Sequence, residues 1–409
     1  MTLYYNTPTM STFLPFFSAL QHQNLTNFTH RAIMTKKDRK ESKINLTKET
    51  SSRVKELIGR APLFDNFDTC KAFLEGRRVL VTGGGGSIGQ ELCRRIAECQ
   101  PAKLIILDIY ENNAYEIQQE LLRKYGANLP LSVVIASIRD NARIDAIFAE
   151  YHPEILLHAA AHKHVPLMEE NPAEAIKNNI FGTKNIFDAA EKYGTEKCIL
   201  ISTDKAVNPT SVMGASKRMC EEMLGARSHS KTVFATVRFG NVADSNGSVM
   251  PLFRRQIAEG GPVTVTDKRA TRYFMSIAEA CHLVLQASAM AQGGEVFVLD
   301  MGEPVSIYEL AKVLICDAGL VPEKDIQITE IGLRVGEKLH EELGISTKTL
   351  LPTAHARIFA EKTSPLSQEE IESQLKVLTE ALANEKDSDS IKKALQIAVP
   401  TYTQKNTSK

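Results

Sequence analysis

The chain has 409 residues, of which 43% are hydrophobic and 24% are charged, and its formal net charge is zero. This composition is ordinary for a globular protein, and the length is sufficient for one large domain or two. Zero net charge gives no electrostatic reason to expect a nucleic-acid or membrane-surface partner, and no apolar run reaches the roughly 18 residues that a membrane-spanning helix requires.

The seven cysteines are scattered along the chain. They form no Cys-x-x-Cys motif and no pattern with paired histidines. This distribution is typical of reduced thiols in a cytoplasmic protein and predicts no metal site. Residues 1–50 are rich in Thr, Asn and Lys without a steady period, so we expect a flexible N-terminal tail there. Residues 51–75 are expected to form a short helical lead-in.

A glycine-rich loop follows the first predicted strand, Val79–Thr82, and precedes a predicted helix, Ile88–Glu98. Glycines allow a tight turn and a close approach of a phosphate, and the helix N-terminus adds N–H donors and a partial positive charge. This strand–loop–helix context predicts a dinucleotide-binding loop, for which a glycine-rich linker is the alternative. The candidate contacts are Gly83, Gly86, Ser87, Ile88 and Gly89.

A second predicted strand, Lys103–Asp108, ends in an acid. Asp108 lies about 20 residues beyond the glycine loop, where a carboxylate accepts hydrogen bonds from the adenosine ribose. The same carboxylate repels a 2′-phosphate, so we expect NAD as the cofactor, with NADP as the alternative. A plain strand-end cap is the other interpretation of Asp108.

Two further predicted strands, Ser132–Ala136 and Ile155–His158, lead into more candidate cofactor contacts. Small residues after the second of them let a flat cofactor ring lie close to the backbone. A long helix is predicted from Asn171-Pro172 through Tyr193, with Pro in its first turn. The cofactor contacts predicted in this region are Ser137, Ile138, Ala159, Ala160, Ala161 and, inside the long helix, Asn178.

The central stretch of the sequence, residues 202–217, begins where the buried run Cys198–Ile201 ends. Residues just beyond a parallel strand line the ligand crevice of a doubly wound sheet. This placement predicts functional roles for Ser202, Thr203, Asp204 and Lys205, although an exposed ion pair is the alternative for the last two. Further on, Met213 and Lys217 are four residues apart and so share one face of a helix.

Strands and helices alternate up to about residue 240, which indicates an α/β fold with a Rossmann-type, doubly wound parallel sheet. We place an NAD(P)-binding domain at 76–240 and a smaller mixed α/β part, mainly substrate-binding, at 241–365. Residues 366–409 are expected to form C-terminal helices and a polar tail.

Several motifs, read together, resemble one known family. They are His158–Glu169, Ser202–Ala206, Asn208–Thr210, Arg238–Val242, Arg272–Met275 and Gly336–Leu339. In this order they resemble the nucleotide-sugar 4,6-dehydratases of polysaccharide biosynthesis, in the extended short-chain dehydrogenase/reductase superfamily. Within that group they are similar to the branch that acts on UDP-N-acetylglucosamine with retention at C5. The resemblance covers residues 54–360.

The resemblance implies a lyase reaction on a UDP-linked sugar. A hydride moves from sugar C4 to NAD, water is lost across C5–C6, and the hydride returns to C6. The product is UDP-4-keto-6-deoxy-N-acetylglucosamine, a precursor for a surface polysaccharide or glycan. Many members carry an N-terminal transmembrane bundle, but no apolar run of that length is found in this sequence. This chain is therefore expected to be a soluble, cytoplasmic short form. It is also expected to act as a homo-oligomer.

The resemblance also implies residue roles. Thr203 would hold the C4 oxygen, Asp204 would protonate the leaving C6 hydroxyl, and Lys205 would take the C5 proton. Ordinary pKa values near 3.9 and 10.4 favour the opposite charge states, and moving each by about three units costs roughly 4 kcal/mol per group. The reverse assignment therefore stays open. Lys217 is expected to bind the nicotinamide ribose.

Met213 stands where the superfamily usually has a Tyr that takes the C4 hydroxyl proton. A thioether has no proton to exchange, so Met213 cannot act as that base. The site is then inactive, or Met213 packs beside a site whose acceptor lies elsewhere, or the motif is misaligned. We favour the second interpretation.

The remaining substrate-binding candidates are polar residues in the second half of the chain and next to the fourth strand. Arg272 and Arg334 are predicted to clamp the diphosphate, because guanidinium forks match phosphate oxygens. Lys163, His164, Asn241, Met213 and Glu337 are expected to border the substrate. The competing functions are a C5-inverting dehydratase, a UDP-sugar 4-epimerase and a non-catalytic NAD-binding scaffold.

Overall fold

The computed structural model describes residues 53–54, 56–59, 63–344, 350–384 and 387–404, so the predicted N-terminal tail lies outside the described residues. The strands, in chain order, are β1 Arg78–Thr82, β2 Lys103–Asp108, β3 Leu131–Ile135, β4 Ile155–His158, β5 Lys197–Thr203, β6 Val233–Phe239, β7 Asn241–Val242, β8 Val263–Val265, β9 Thr271–Arg272, β10 Phe274–Met275, β11 Val296–Leu299, β12 Val305–Ser306, β13 Ile328–Glu330, β14 Leu350–Pro352 and β15 Ile358–Glu361.

The helices flank these strands. In chain order they are α1 Phe67–Leu74, α2 Ser87–Glu98, α3 Glu111–Tyr125, α4 Asn141–Tyr151, α5 Val165–Glu170, α6 Pro172–Ala175, α7 Gly182–Lys192, α8 Val212–Gly225, α9 Val249–Ala258, α10 Ile277–Met290, α11 Ile307–Asp317, α12 Gln368–Asn384 and α13 Ser388–Ala398. None of the helices in the described part of the chain combines the length and the apolar character needed to cross a membrane.

Nine strands form the main sheet, in the order β14-β15-β11-β6-β5-β4-β1-β2-β3. The seven strands from β11 to β3 are parallel, and β15 and β14 extend the sheet antiparallel. Apolar runs such as Leu104–Leu107 are buried because helices cover both faces, as parallel strands require. The predicted Rossmann-type sheet is confirmed.

Side-chain caps begin several helices. The carboxylate of Asp140 accepts a hydrogen bond from the backbone N–H of Arg143, and Ser276 and Ser306 cap α10 and α11 in the same way. These caps satisfy N–H groups that have no partner inside the helix. The predicted long helix from Pro172 is interrupted, since a π-helical turn, Ile176–Phe181, separates α6 from α7.

The buried apolar residues form three clusters. One cluster lies on each face of the main sheet. The third lies apart from the sheet, among α9, α11, β8 and β13, and includes Phe253 and Leu314. The predicted substrate-binding part therefore has a core of its own, although β11, β14 and β15, from the same stretch of chain, extend the main sheet. The predicted boundaries stay predictions.

The strand order reverses between β1 and β4. From β1 the chain continues to β2 on one side, whereas β4 lies on the other side. The loops after these two strands consequently leave the sheet in opposite directions and open a crevice at its carboxyl edge, the usual ligand site of such folds.

Candidate functional site

The glycine loop lies at this crevice, between β1 and α2. Gly83 has φ of +67°, and a Cβ atom there would lie 2.7 Å from the backbone N of Ala160. A Cβ on Gly89 would lie 2.1 Å from the Gly83 carbonyl oxygen. Neither position admits a side chain, so the first turn of α2 stays pressed against the loop and its N–H groups face the crevice. Gly86 is the N-cap of α2, with Ser87 and Ile88 in its first turn.

Asp108, at the end of β2, fixes this loop through hydrogen bonds. Its carboxylate accepts one bond from the Gly85 N–H and another from the Tyr110 N–H, each 2.8 Å long. A carboxylate has about four acceptor positions, so a ribose can still donate to it. Asp108 therefore organises the loop, which the sequence did not reveal, and its contact with a ribose stays a prediction.

A cavity of about 820 Å³ runs from the glycine loop to the end of β5. Among the predicted residues it is lined by Gly83, Gly86, Ser87, Ile88, Gly89, Ala159, Ala161, Lys163, His164, Ser202, Thr203, Lys205, Met213, Lys217 and Asn241. We call it the larger cavity. Its volume and its position at the helix N-terminus fit an extended dinucleotide.

Five predicted cofactor contacts do not line the larger cavity, namely Asp108, described above, and four others. Ala160 packs beneath Gly83, and Ile138 is buried against Gly182. The Ser137 hydroxyl accepts a bond from the Arg139 N–H. Asn178, in the π-helical turn, donates to the side chain of Asn179. Asn179 in turn contacts the backbone of residue 162 and the hydroxyl of residue 216, so it braces the cavity wall.

Asp204 and Lys205 form an ion pair directly after β5. The Lys205 Nζ donates to Asp204 Oδ1 at 2.9 Å and to Asn241 Oδ1 at 3.1 Å, and the Thr203 hydroxyl donates to the same Asp204 oxygen at 2.8 Å. Asp204 is fully buried, and its second oxygen, Oδ2, has no hydrogen-bond partner among the described residues. Burial opposes the ammonium form, but the charges of Asp204 and Glu341 outweigh it and raise the pKa of Lys205.

Met213 and Lys217 lie on helix α8, and both are buried at the wall of the larger cavity. Met213 is 4% exposed and belongs to the core cluster on that face of the sheet. Burial lowers the pKa of Lys217, against the opposing effect of Cys220 and Glu221. This burial agrees with the interpretation that Met213 packs beside the site.

A buried ionic network supports the floor of the larger cavity. The Ser202 hydroxyl donates to Glu221, which receives two bonds from Arg238. Arg238 also donates to Glu361 on β15 at 2.8 Å. The charges in this network are paired, so their burial is compensated. The bonds between them link β5, α8 and β6 to β15 at the level of the site.

A smaller cavity, of about 250 Å³, adjoins the larger one. Of the predicted substrate-binding residues, it is lined by Lys163, His164, Asn241, Arg272, Arg334 and Glu337. Lys163, His164, Lys205 and Asn241 line both cavities, so Lys205 of the ion pair lies where the two meet, whereas Asp204 lines neither cavity. Burial lowers the pKa of Lys163.

Arg272 is buried and firmly held by its own chain. Its guanidinium donates to the carbonyl oxygens of residues 271 and 339 and, at 2.7 Å, to Glu337 Oε1. Arg334 is exposed at the rim of the smaller cavity. The two arginines thus differ, since Arg272 is preorganised whereas Arg334 is at the entrance.

Glu341 also lines the smaller cavity, and our sequence reading missed it. It follows the Gly336–Leu339 motif by two residues, and this proximity was the available signal. Its Oε1 lies 3.6 Å from Lys205 Nζ and 3.8 Å from Arg272 Nε. A buried carboxylate thereby joins the predicted acid–base couple to the predicted diphosphate clamp.

The fold and the site define a Rossmann-type α/β protein of the extended short-chain dehydrogenase/reductase class. The family model described as "Polysaccharide biosynthesis protein" matches residues 79–363. The chain belongs to this polysaccharide biosynthesis family, so the family expectation is confirmed.

Curated relatives agree with this assignment. The capsular polysaccharide biosynthesis protein CapD of Staphylococcus aureus is 53% identical over 292 residues, which is 71% of this chain and 49% of that protein. The chain thus spans about half the length of this relative. A UDP-N-acetylglucosamine 4,6-dehydratase (inverting) of Campylobacter jejuni is 36% identical over 65% of this chain and 76% of its own. A UDP-glucose 4-epimerase of Rickettsia canadensis is 38% identical over 65% of this chain and 77% of its own.

Among solved structures, the X-ray structure of Pen from Bacillus thuringiensis is similar to this chain with a TM-score of 0.66 and 31% sequence identity. The match covers 74% of this chain and 98% of that one. The whole of that fold is therefore present here.

Proposed function

We propose that this protein is an NAD-dependent nucleotide-sugar 4,6-dehydratase that converts UDP-N-acetylglucosamine with retention at C5. The observation that carries the proposal is the Asp204–Lys205 ion pair, in which Lys205 lines both cavities and Asp204 is fully buried. An elimination of water needs one group to remove a proton and another to protonate the leaving oxygen. The Campylobacter relative, named as an inverting 4,6-dehydratase, supports the reaction class but not C5 retention, for which the motif resemblance is the support.

The larger cavity fits NAD. The glycine loop and the first turn of α2 would hold the pyrophosphate, Asp108 would accept hydrogen bonds from the adenosine ribose, and Lys217 would donate to the nicotinamide ribose. When bound, NAD supplies reversible hydride transfer. Met213 leaves the C4 hydroxyl proton to another acceptor.

The smaller cavity fits a diphosphate and its sugar. Arg272 is held in place before any ligand arrives, so it can pair with a phosphate oxygen at little cost in side-chain entropy. Arg334 at the rim would close over the diphosphate, and Asn241 and Lys163 would face the sugar, since they line both cavities.

The two assignments of acid and base make different demands on the couple. The resemblance implies Asp204 as the acid and Lys205 as the base, which requires both groups to be neutral. Proton transfer along their 2.9 Å hydrogen bond would create that state once the substrate excludes water. The reverse assignment uses the ion pair as it stands. Both assignments place the chemistry on the same two side chains.

Mass spectrometry of UDP-N-acetylglucosamine incubated with the protein and NAD tests the proposal. We expect the sugar nucleotide to lose one water. An isomer of equal mass would instead identify an epimerase, the function named for the Rickettsia relative. An unchanged substrate with bound NAD would identify a non-catalytic scaffold. Proton NMR of the product reports the configuration at C5 and separates retention from inversion.

Deuterium incorporation assigns the acid and the base. In deuterated water the wild type should place deuterium at C5. Asp204→Asn and Lys205→Ala are then compared by single-turnover measurements of C5 exchange. The variant that loses the exchange lacks the base, because proton removal at C5 precedes departure of the C6 oxygen. Loss of exchange in neither variant would show that the couple does not act at C5.

A further inference from the structure

Glu341 is a buried carboxylate at the wall of the smaller cavity, with its side chain only 3% exposed. Its Oε1 faces both Lys205 and Arg272, at 3.6 Å and 3.8 Å. Its Oε2 has no hydrogen-bond partner among the described residues. A buried carboxylate with an unbonded oxygen lowers the free energy of unfolding. Its presence in this wall therefore points to a role in the site.

The backbone fixes Glu341 in this position. The Thr271 N–H donates to the Leu339 carbonyl at 3.2 Å, and the Thr271 hydroxyl lies 2.9 Å from His340 Nδ1. Arg272 bonds to the same Leu339 carbonyl at 3.0 Å. The residues immediately before Glu341 are thereby pinned to β9, and the carboxylate reaches Lys205 from a segment far away in the sequence.

Lys205 is consequently held between two carboxylates from different elements, Asp204 on its own turn and Glu341 across the cavity. The positive charge of Arg272 acts in the opposite direction and lowers the pKa of Lys205. The other titratable or charged groups that line the smaller cavity are Lys163, His164, Arg334, Glu337 and Lys338.

We propose that Glu341 is a positioning residue that acts through Lys205: its carboxylate holds the Lys205 ammonium in place and keeps it protonated in the free site. The role of Lys205 in proton transfer rests on the proposed function, whereas the control that Glu341 exerts over Lys205 is a property of the folded chain. Together with Asp204, whose charge acts in the same direction, Glu341 raises the pH at which Lys205 loses its proton, whichever direction the catalytic proton takes.

The direction of the effect follows from the charges. Replacing Glu341 by Gln removes a negative charge beside the ammonium, so the pKa of Lys205 falls. An opposite charge within 4–6 Å changes a pKa by about one to three units. The limb of the pH–rate profile that Lys205 governs should therefore move to lower pH in Glu341→Gln, whether Lys205 acts as the acid or as the base.

Pulse acylation of lysines as a function of pH, read by peptide mass spectrometry, tests this without turnover. Only the neutral amine reacts, so the pH of half-labelling reports the pKa. In Glu341→Gln we expect half-labelling of Lys205 about one to three units below that of the wild type. Lys376, which is 77% exposed, is the internal reference and should not change.

Glu342→Gln is the matched control. Glu342 is adjacent and carries the same charge, but its side chain is 47% exposed and contacts Lys338 and Asn208. Its substitution should leave the labelling of Lys205 unchanged. If Glu341→Gln does not fold, as judged by circular dichroism, Glu341→Asp replaces it and should give a smaller downward shift, because the charge is withdrawn by one methylene.

An unchanged half-labelling pH in a folded Glu341 variant would overturn the inference, as would an equal shift in Glu342→Gln. This readout is independent of the reaction. If the wild type does not dehydrate the sugar, the proposed function is wrong. The labelling experiment still decides whether Glu341 controls the pKa of Lys205.

Discussion

Replacing Gly214 by alanine should displace Lys205 and abolish most of the activity. Gly214 lies in the first turn of α8, where it contacts the turn that carries the proposed acid–base couple. A Cβ atom at this position would lie 2.2 Å from the Lys205 carbonyl oxygen, whereas ordinary contact begins at 3.4 Å. Helix and turn must therefore separate by roughly 1 Å, a misplacement that costs about 100-fold in rate, or ~2.7 kcal/mol.

Initial rates of water loss, measured by mass spectrometry, give the change in kcat, and thermal unfolding gives the change in stability. We expect a stability loss of about 1–3 kcal/mol, typical of overpacking. Gly225→Ala, at the other end of the same helix, is the control. Its Cβ would lie 3.4 Å from Pro365, so the rate should be unchanged. If Gly214→Ala keeps its rate within about threefold of the wild type, this close contact does not position Lys205.

Two further predictions concern the cofactor site and the sheet beneath it. Asp108→Asn retains a hydrogen-bond acceptor for the loop but loses the charge that repels a 2′-phosphate, so the preference for NAD over NADP should fall on the order of tenfold in binding titrations; an unchanged preference would contradict this role. His158 is buried between Thr82 and Thr183, and burial, helped by Lys217, lowers its pKa from 6.5 to about 3. The unfolded chain therefore takes up this proton first as the pH falls, so the wild type should lose up to ~1.4 kcal/mol per pH unit from this group between pH 6.5 and 3. His158→Asn should show a shallower slope in denaturant titrations, and an equal slope would refute the assignment.

The local pattern of the sequence was sufficient for the Rossmann-type sheet and for most of the candidate residues that line the two cavities. Buried apolar runs predicted β2 and β4 with the bounds that the structure has. The glycine spacing and the acid at the end of β2 indicated the loop between β1 and α2 and made Asp108 a candidate contact. These features depend on periodicity, turn chemistry and short spacings, all of which act between residues close together in the chain.

Other features depended on contacts between distant segments. Glu341 reaches Lys205 only because β9 pins the segment before it, and no spacing within the sequence encodes that contact. The pKa of Lys205 depends partly on the same approach, since burial lowers it while the charges of Asp204 and Glu341 raise it. Asn178 and Ile138, predicted to contact the cofactor, lie outside the larger cavity because a π-helical turn and core packing set their directions. The sequence by itself determined the fold and most of the candidate side chains at the crevice. The tertiary structure decided which of these side chains lie in contact and which charge each one carries, because electrostatic interaction depends on distance through space.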